Sequence, residues 1–174
     1  MTARSGCALT LILETREQRE SLDEYMIEQA LTGPIYVLDN GNCFNPLRLT
    51  RPIRRRTLKI QAVLDRIQVA RAFTCFQVVS LLEATTNPKG PVFILRLLAT
   101  FTDEMVPAYE RLRLLKQVAG HVERLRRTVP VVVTIRNVHF QSDILLEWVS
   151  QFQASADEIR TTEPGIPHEP ARLF

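Results

Sequence analysis

Residues 9–31 place an apolar run, a turn and an amphipathic run in the order that nucleotide-binding α/β domains use to hold phosphates. A phosphate-binding loop needs glycines whose backbone N–H groups wrap the phosphates, and a lysine that reaches their outer oxygens. The turn in this chain contains no glycine, and it carries Glu14, Glu17 and Glu20. Because these carboxylates would repel a triphosphate, the segment predicts that the chain does not hydrolyse ATP.

The second group of chemistry-bearing side chains is a basic segment at residues 48–59, RLTRPIRRRTLK. It has six basic residues and no acidic one: Arg48, Arg51, Arg54, Arg55, Arg56 and Lys59. The chain has 22 basic and 19 acidic residues, so removing these six turns its net charge of +3 into −3. Two interpretations stay open, a solvated and partly disordered loop or a patch that contacts nucleic-acid phosphates. No aromatic residue inside the segment offers a surface on which a base could stack.

Other residue types that bind metals or attack substrates are scattered along the chain. None has a companion at metal-ligand or catalytic spacing: Cys7, Cys43, Cys75, His121, His139 and His168. We therefore predict no catalytic residue, no metal site and no cofactor. Separated cysteines are typical of free thiols in a reducing compartment, and no apolar run approaches the roughly 20 residues that span a bilayer. The composition thus predicts a cytoplasmic protein without membrane contact.

Apolar, β-branched runs alternate with amphipathic runs of helical length. The predicted strands cover residues 8–13, 35–38, 67–70, 92–98 and 131–135. The predicted helices cover residues 21–31, 57–66, 74–86, 106–127 and 143–152. Strands that are apolar on both faces and separated by helices indicate a doubly wound α/β fold, with a mostly parallel sheet covered by helices on both faces.

The chain of 174 residues is long enough for one domain with a proper core. From about residue 154 onward it turns polar and contains Pro164, Pro167 and Pro170. Such a composition buries little apolar surface. We therefore predict one α/β domain at residues 1–153, followed by a polar, proline-rich tail at residues 154–174.

Three stretches, taken in order, resemble the ATPase core of the RecA-type recombinases, especially the archaeal and eukaryotic branch that pairs homologous DNA. Residues 35–49, IYVLDNGNCFNPLRL, are similar to that family's pattern YIDTEGTFRPERL. Residues 63–77, VLDRIQVARAFTCFQ, are similar to its VLDNVAYARAFNTDHQ, and ARAF is identical. Residues 92–135 match its succession of Walker B strand, loop, long helix and strand. The resemblance covers roughly residues 8–150 and implies a RecA-like fold, in which we expect Arg71 of ARAF to form an ion pair.

The resemblance also implies where the ATPase residues would lie, and almost all of them are replaced. Glu14 and Arg19 stand at glycines of the phosphate loop, and Glu20 stands at its lysine. Gly41 replaces the glutamate that activates water, and Arg96 replaces the Walker B aspartate. Among these positions only the magnesium-binding hydroxyl is retained, as Ser21. The resemblance therefore implies a pseudo-ATPase with a degenerate Walker A motif, which is not an enzyme.

In the recombinases, DNA is held by two loops that correspond to residues 100–107 and 136–142 of this chain. The first loop has Asp103 and Glu104 and no basic residue, so it would repel a phosphate backbone.

Our leading hypothesis is a non-catalytic RecA-like accessory or scaffold protein in DNA recombination or repair, bound to a protein partner or to further copies of itself. The alternative is a nucleic-acid-binding module that acts through residues 48–59. A third hypothesis, an enzyme of unrecognised chemistry, has no residue constellation to support it.

Overall fold

The fold is built around a six-stranded, all-parallel sheet in a computed structural model that describes residues 8–136 and 143–161. The strands, in chain order, are β1 (Leu9–Glu14), β2 (Ile35–Asp39), β3 (Ile67–Arg71), β4 (Val92–Leu95), β5 (Val131–Arg136) and β6 (Glu158–Arg160). They lie side by side in the order β3-β2-β4-β5-β1-β6. Because all pairs are parallel, the strands end at one common edge, which we call the carboxyl edge.

Six helices cover both faces of the sheet within the described residues. They are α1 (Arg16–Thr32), α2 (Leu47–Arg56), α3 (Ile60–Leu64), α4 (Cys75–Ala84), α5 (Ala108–Arg126) and α6 (Asp143–Ser155). Helices α1, α2 and α3 pack with one face of the sheet around Met26, Val37 and Ile53. Helices α4, α5 and α6 pack with the other face around Leu82, Val118 and Trp148. Apolar strands between these two cores produce the doubly wound α/β fold, which confirms the predicted fold class.

Element boundaries differ from those predicted, and three of the differences have a clear local reason. Helix α1 begins at Arg16 rather than at residue 21, because Thr15 and Gln18 form a capping box at its start. Strand β4 ends at Leu95, since Arg96 leaves the strand with φ +49°. The basic segment, for which a disordered loop was one interpretation, is largely helical in α2, because buried Leu49 and Ile53 lie one turn apart.

The end of the domain also differs from the predicted boundary at residue 153. Helix α6 continues to Ser155, and β6 then adds a strand to the sheet beside β1. The backbone N–H of Leu9 donates to the Asp157 carboxylate at 2.8 Å, and that of Asp157 donates to the Leu9 carbonyl at 2.9 Å. These bonds attach part of the predicted tail to the sheet, and residues 162–174 lie outside the described residues.

None of the described helices combines the length and the apolar composition that a bilayer-spanning segment requires.

Gly90 lies where two neighbouring strands begin, and its backbone passes very close to that of Pro34. A Cβ atom at Gly90 would lie 1.9 Å from the Pro34 carbonyl oxygen, whereas one at Gly120 in α5 would meet nothing within 4 Å. We expect Gly90→Ala to lower the free energy of unfolding by about 1–3 kcal/mol, because the backbone of β2 would have to move. The Gly120→Ala control should raise it by about 0.5–1 kcal/mol. Urea unfolding measures both, and an unchanged midpoint for Gly90→Ala would contradict the packing described.

Candidate functional site

The connection between β1 and α1 consists of one residue, Thr15. Strand β1 ends at Glu14, and α1 begins at Arg16. The Thr15 backbone N–H donates to the Gln18 side-chain oxygen at 3.4 Å, which fixes the start of the helix. Residues 16–21, where a phosphate loop was sought, are therefore the first turns of a helix. With a single linking residue, the backbone has no loop whose N–H groups could surround a phosphate.

The Glu14 carboxylate forms the centre of a charge cluster at the carboxyl edge, with two arginines around it. Arg96 Nε donates to Glu14 Oε2 at 2.8 Å, and Arg19 Nη2 lies 3.6 Å from the same oxygen. The Glu14 side chain is only 6% exposed. Although burial opposes the positive charge, the bond to Glu14 raises the pKa of the Arg96 guanidinium. The cluster therefore contains a carboxylate where the recombinase resemblance would place phosphate.

Arg96 reaches Glu14 because its backbone turns away from β4. Its φ of +49° is a left-handed conformation, which costs a non-glycine residue on the order of 1–2 kcal/mol. Thr134 of β5 compensates, because its hydroxyl accepts from the Arg96 N–H at 2.8 Å and its carbonyl from the Leu97 N–H at 3.0 Å. Strand β5 lies between β4 and β1, so Thr134 holds the turn from which Arg96 crosses the sheet edge.

Gly41 provides the space that the Arg96 side chain occupies. A Cβ atom at position 41 would lie 2.6 Å from Arg96 Cδ and 2.8 Å from Arg96 Cβ. A larger side chain would push the guanidinium away from Glu14. The absence of a side chain at position 41 and the placement of the Arg96 side chain thus depend on each other, because both use the same volume.

Asp39, at the end of β2, organises the segment that follows it. Its Oδ1 accepts from the backbone N–H of Cys43 at 3.0 Å and of Gly41 at 3.3 Å, and its Oδ2 accepts from the N–H of Phe44 at 3.0 Å. Arg71 Nε lies 3.4 Å from Asp39 Oδ2, and Arg71 Nη2 donates to the Phe44 carbonyl at 3.1 Å. The ion pair expected for Arg71 is therefore confirmed.

Hydrogen bonding decides the charge of Asp39, which is fully buried. Burial favours the neutral acid, but the bonds from Cys43, Phe44 and Gly41 together lower the pKa below its ordinary value of 3.8. The neighbouring thiol behaves in the opposite way, since burial first and then the Asp39 charge raise the pKa of Cys43 to about 12. Cys43 is consequently a protonated thiol at neutral pH and a poor nucleophile.

The six basic residues of the segment 48–59 form two groups, those that pair with an acidic side chain and those that do not. Arg48 Nη2 lies 2.6 Å from Asp23, and Arg56 bonds to Glu24, so both reach acids of α1. Among the side chains that the structure describes, no carboxylate lies within 4 Å of the other four basic side chains: Arg51, Arg54, Arg55 and Lys59. All four are exposed. The structure thus places the predicted site residues together on one helix and just beyond it.

The remaining positions that sequence reasoning considered do not assemble into a catalytic group. Ser21 lines a cavity of 210 Å³ with Tyr25 and Arg160. Cys75 is buried, and Asp103 and Glu104 are exposed. Among the described residues, no three His, Cys, Asp or Glu side chains form a group that could hold a metal ion. Cys7, His139, His168 and residues 137–142 of the second loop lie outside the described residues.

The Glu14–Arg96 pair is the functional feature that sequence reasoning missed. The sequence predicts that each residue replaces a nucleotide-binding residue of the recombinases, but it does not by itself predict that the two residues contact each other. Opposite charges at the carboxyl ends of two apolar strands, β1 and β4, were the available signal, because parallel strands end at the same edge.

A scan against protein-family models and a search of curated proteins find no match for this chain.

The shared volume of Gly41 and Arg96 predicts a measurable coupling between the two positions. We expect Gly41→Ala to lower the free energy of unfolding by about 1–3 kcal/mol, because its Cβ displaces Arg96. In an Arg96→Gly background the same change should cost less than about 0.5 kcal/mol, since both the Cβ and the Cδ atom that it would meet are gone. Urea unfolding of the four proteins in this double-mutant cycle gives the coupling. Equal costs in both backgrounds would contradict the packing of Arg96 against Gly41.

The lowered pKa of Asp39 predicts a loss of stability in acid. A carboxyl whose pKa is lower in the folded chain adds stability above the unfolded pKa of about 4, and this contribution disappears as the pH falls through the folded value. We expect Asp39→Asn to be less stable than wild type by about 2 kcal/mol at pH 7, with a gap that narrows below about pH 4. Urea unfolding from pH 7 to pH 3 measures the gap. Exposed Asp65→Asn serves as the control, and a constant gap for Asp39→Asn would disprove the assignment.

Proposed function

We propose that this chain is a non-catalytic RecA-like domain, a pseudo-ATPase that acts as an accessory or scaffold protein for a protein partner or for further copies of itself. The setting that we propose is DNA recombination or repair, and it rests on the resemblance of residues 35–49 and 63–77 to the recombinases. The cytoplasm is the proposed location.

The observation that supports a non-catalytic role best is the buried pair of Glu14 and Arg96. In the proposed alignment with the recombinases, Arg96 stands at the metal-binding acid, and here it donates to Glu14 at 2.8 Å. Arg19 lies against the same carboxylate, so neither arginine is available to an incoming phosphate unless Glu14 is displaced. The guanidinium of Arg96 is therefore already paired inside the chain.

The magnitude of the repulsion supports the same conclusion. Two unit charges about 4 Å apart interact by about 4 kcal/mol at an effective dielectric constant of about 20. Arg96 and Arg19 offset part of the Glu14 charge, so the repulsion of a phosphate oxygen at that distance stays below roughly half of the binding free energy of a ligand with a Kd of about 1 μM. Thr15 provides no backbone loop that could offset this repulsion, because the helix begins at the next residue.

Exposed apolar side chains support a protein partner. They lie at the start of α4 and on the approach to α5, two helices that pack against each other: Phe73, Phe76, Met105, Tyr109 and Leu112. Phe73 is 66% exposed and Met105 is 89% exposed. Large apolar side chains gathered in one region of a surface are typical of protein interaction sites.

The proposal predicts that the chain does not bind ATP. We expect no saturable binding of a fluorescent ATP analogue with Mg²⁺ up to about 100 μM, because Glu14 repels the phosphates and the loop is missing. Equilibrium fluorescence anisotropy measures this, with an active ATPase of the same fold class as the positive control. Binding with a Kd below about 100 μM would overturn the pseudo-ATPase proposal.

A further inference from the structure

The outer face of α2 carries several exposed cations at regular spacing. Leu49 and Ile53 point into the core, so residues on the opposite side of the helix face solvent. Arg51, Arg54 and Arg55 occupy that side at spacings of three and four residues, within about 6 Å along the helix axis. We call these three residues, together with Lys59 just beyond the helix, the α2 basic face.

The α2 basic face is held in place by other arginines of the same helix. Arg48 and Arg56, near the two ends of α2, pair with Asp23 and Glu24 of α1. These pairs, together with the buried side chains of α2, fix the helix on the domain. Arg51, Arg54 and Arg55 therefore face solvent from a helix that is fixed on the domain, and Lys59 faces solvent just beyond its end. A fixed helix favours bidentate binding of its arginines to oxyanions.

Two exposed leucines flank the α2 basic face. Leu47, the first residue of α2, is 74% exposed, and Leu58, next to Lys59, is 95% exposed. A phosphate backbone offers these leucines no apolar surface, and the segment contains no aromatic residue to stack on a base. A protein segment that alternates acidic and apolar side chains would satisfy both the cations and the leucines.

Acidic residues beside α2 favour a narrow ligand over a nucleic-acid duplex. Helix α1 packs against α2 and carries Glu20, Glu24 and Glu28, one per helical turn and at least partly exposed. A duplex lying across α2 would bring a second row of phosphates close to these carboxylates, which repel them. Outside residues 48–59 the chain has a net charge of −3, so the attraction for an anionic ligand is confined to this segment.

We infer that the α2 basic face, with Leu47 and Leu58, is the docking site for an acidic, leucine-containing segment of a partner protein. This inference rests on the proposed scaffold function and names the class of partner that the scaffold binds. Arg51, Arg54, Arg55 and Lys59 pair with carboxylates of the segment, and the leucines pack against its apolar side chains. These residues are distinct from those of the charge cluster around Glu14.

The experiment uses the full chain and three probes in fluorescence anisotropy at about 50 mM salt. The probes are a synthetic peptide with glutamate and leucine at helical spacing, the same peptide with each leucine replaced by serine, and a mixed-sequence DNA duplex. We expect the glutamate–leucine peptide to bind tightest. Arg54→Gln/Arg55→Gln should weaken it by about tenfold, and Leu58→Ser by about fivefold. The control variant Lys116→Gln/Arg127→Gln removes the same charge from α5 and from the residue that follows it, and should change the Kd of the peptide by less than about twofold.

Three outcomes would overturn the inference: no binding of the glutamate–leucine peptide, equal weakening by the α5 control variant, or tighter binding of the duplex than of the peptide. The last result would assign the α2 basic face to nucleic acid instead. Circular dichroism of each variant shows that the fold is kept, since the substituted side chains are exposed. Failure of the peptide to bind leaves the ATP measurement unaffected, so the two proposals are tested separately.

Discussion

One buried carboxylate, that of Glu14, determines how the carboxyl edge of the sheet is arranged. A buried, ionised carboxylate without a positive partner is strongly unfavourable, so Glu14 requires Arg96 and Arg19 beside it. Arg96 can reach it only from a left-handed backbone conformation, which Thr134 supports, and only because Gly41 has no side chain. The shape of three neighbouring connections thus follows from the need to neutralise a single negative charge.

The acids of α1 and the bases of α2 form a second, more exposed system of charges. Asp23 and Glu24 of α1 bind Arg48 and Arg56 of α2. Exposed pairs of this kind contribute little to stability, about 0–1 kcal/mol each. The pairs instead determine which cations of α2 are neutralised by an acid of α1 and which face solvent without one.

The fold class could be predicted from the sequence because apolar runs such as 131–135 and the turn signals between runs are local features. The ion pair of Arg71 was also predicted. The Glu14–Arg96 pair was not predicted, because it joins residues that lie far apart in the chain. It also depends on Thr134 of a third strand, whose hydroxyl accepts from the Arg96 N–H. The helical state of the basic segment was missed because arginines dominate its composition. Its two buried residues, Leu49 and Ile53, fix its structure only through their contacts with the core.

The place of β1 in the sheet has a consequence for how the chain is made. Strand β1 is synthesised first, yet its neighbours are β5 and β6, the last two strands. A ribosome adds about 5–20 residues per second, so Leu9 and Leu11 emerge several seconds before Val131 and Val133, their partners in the sheet. During that interval the apolar segment of β1 has an unpaired backbone, and nascent chains are exposed to misassembly and to chaperones until β5 and β6 have been made.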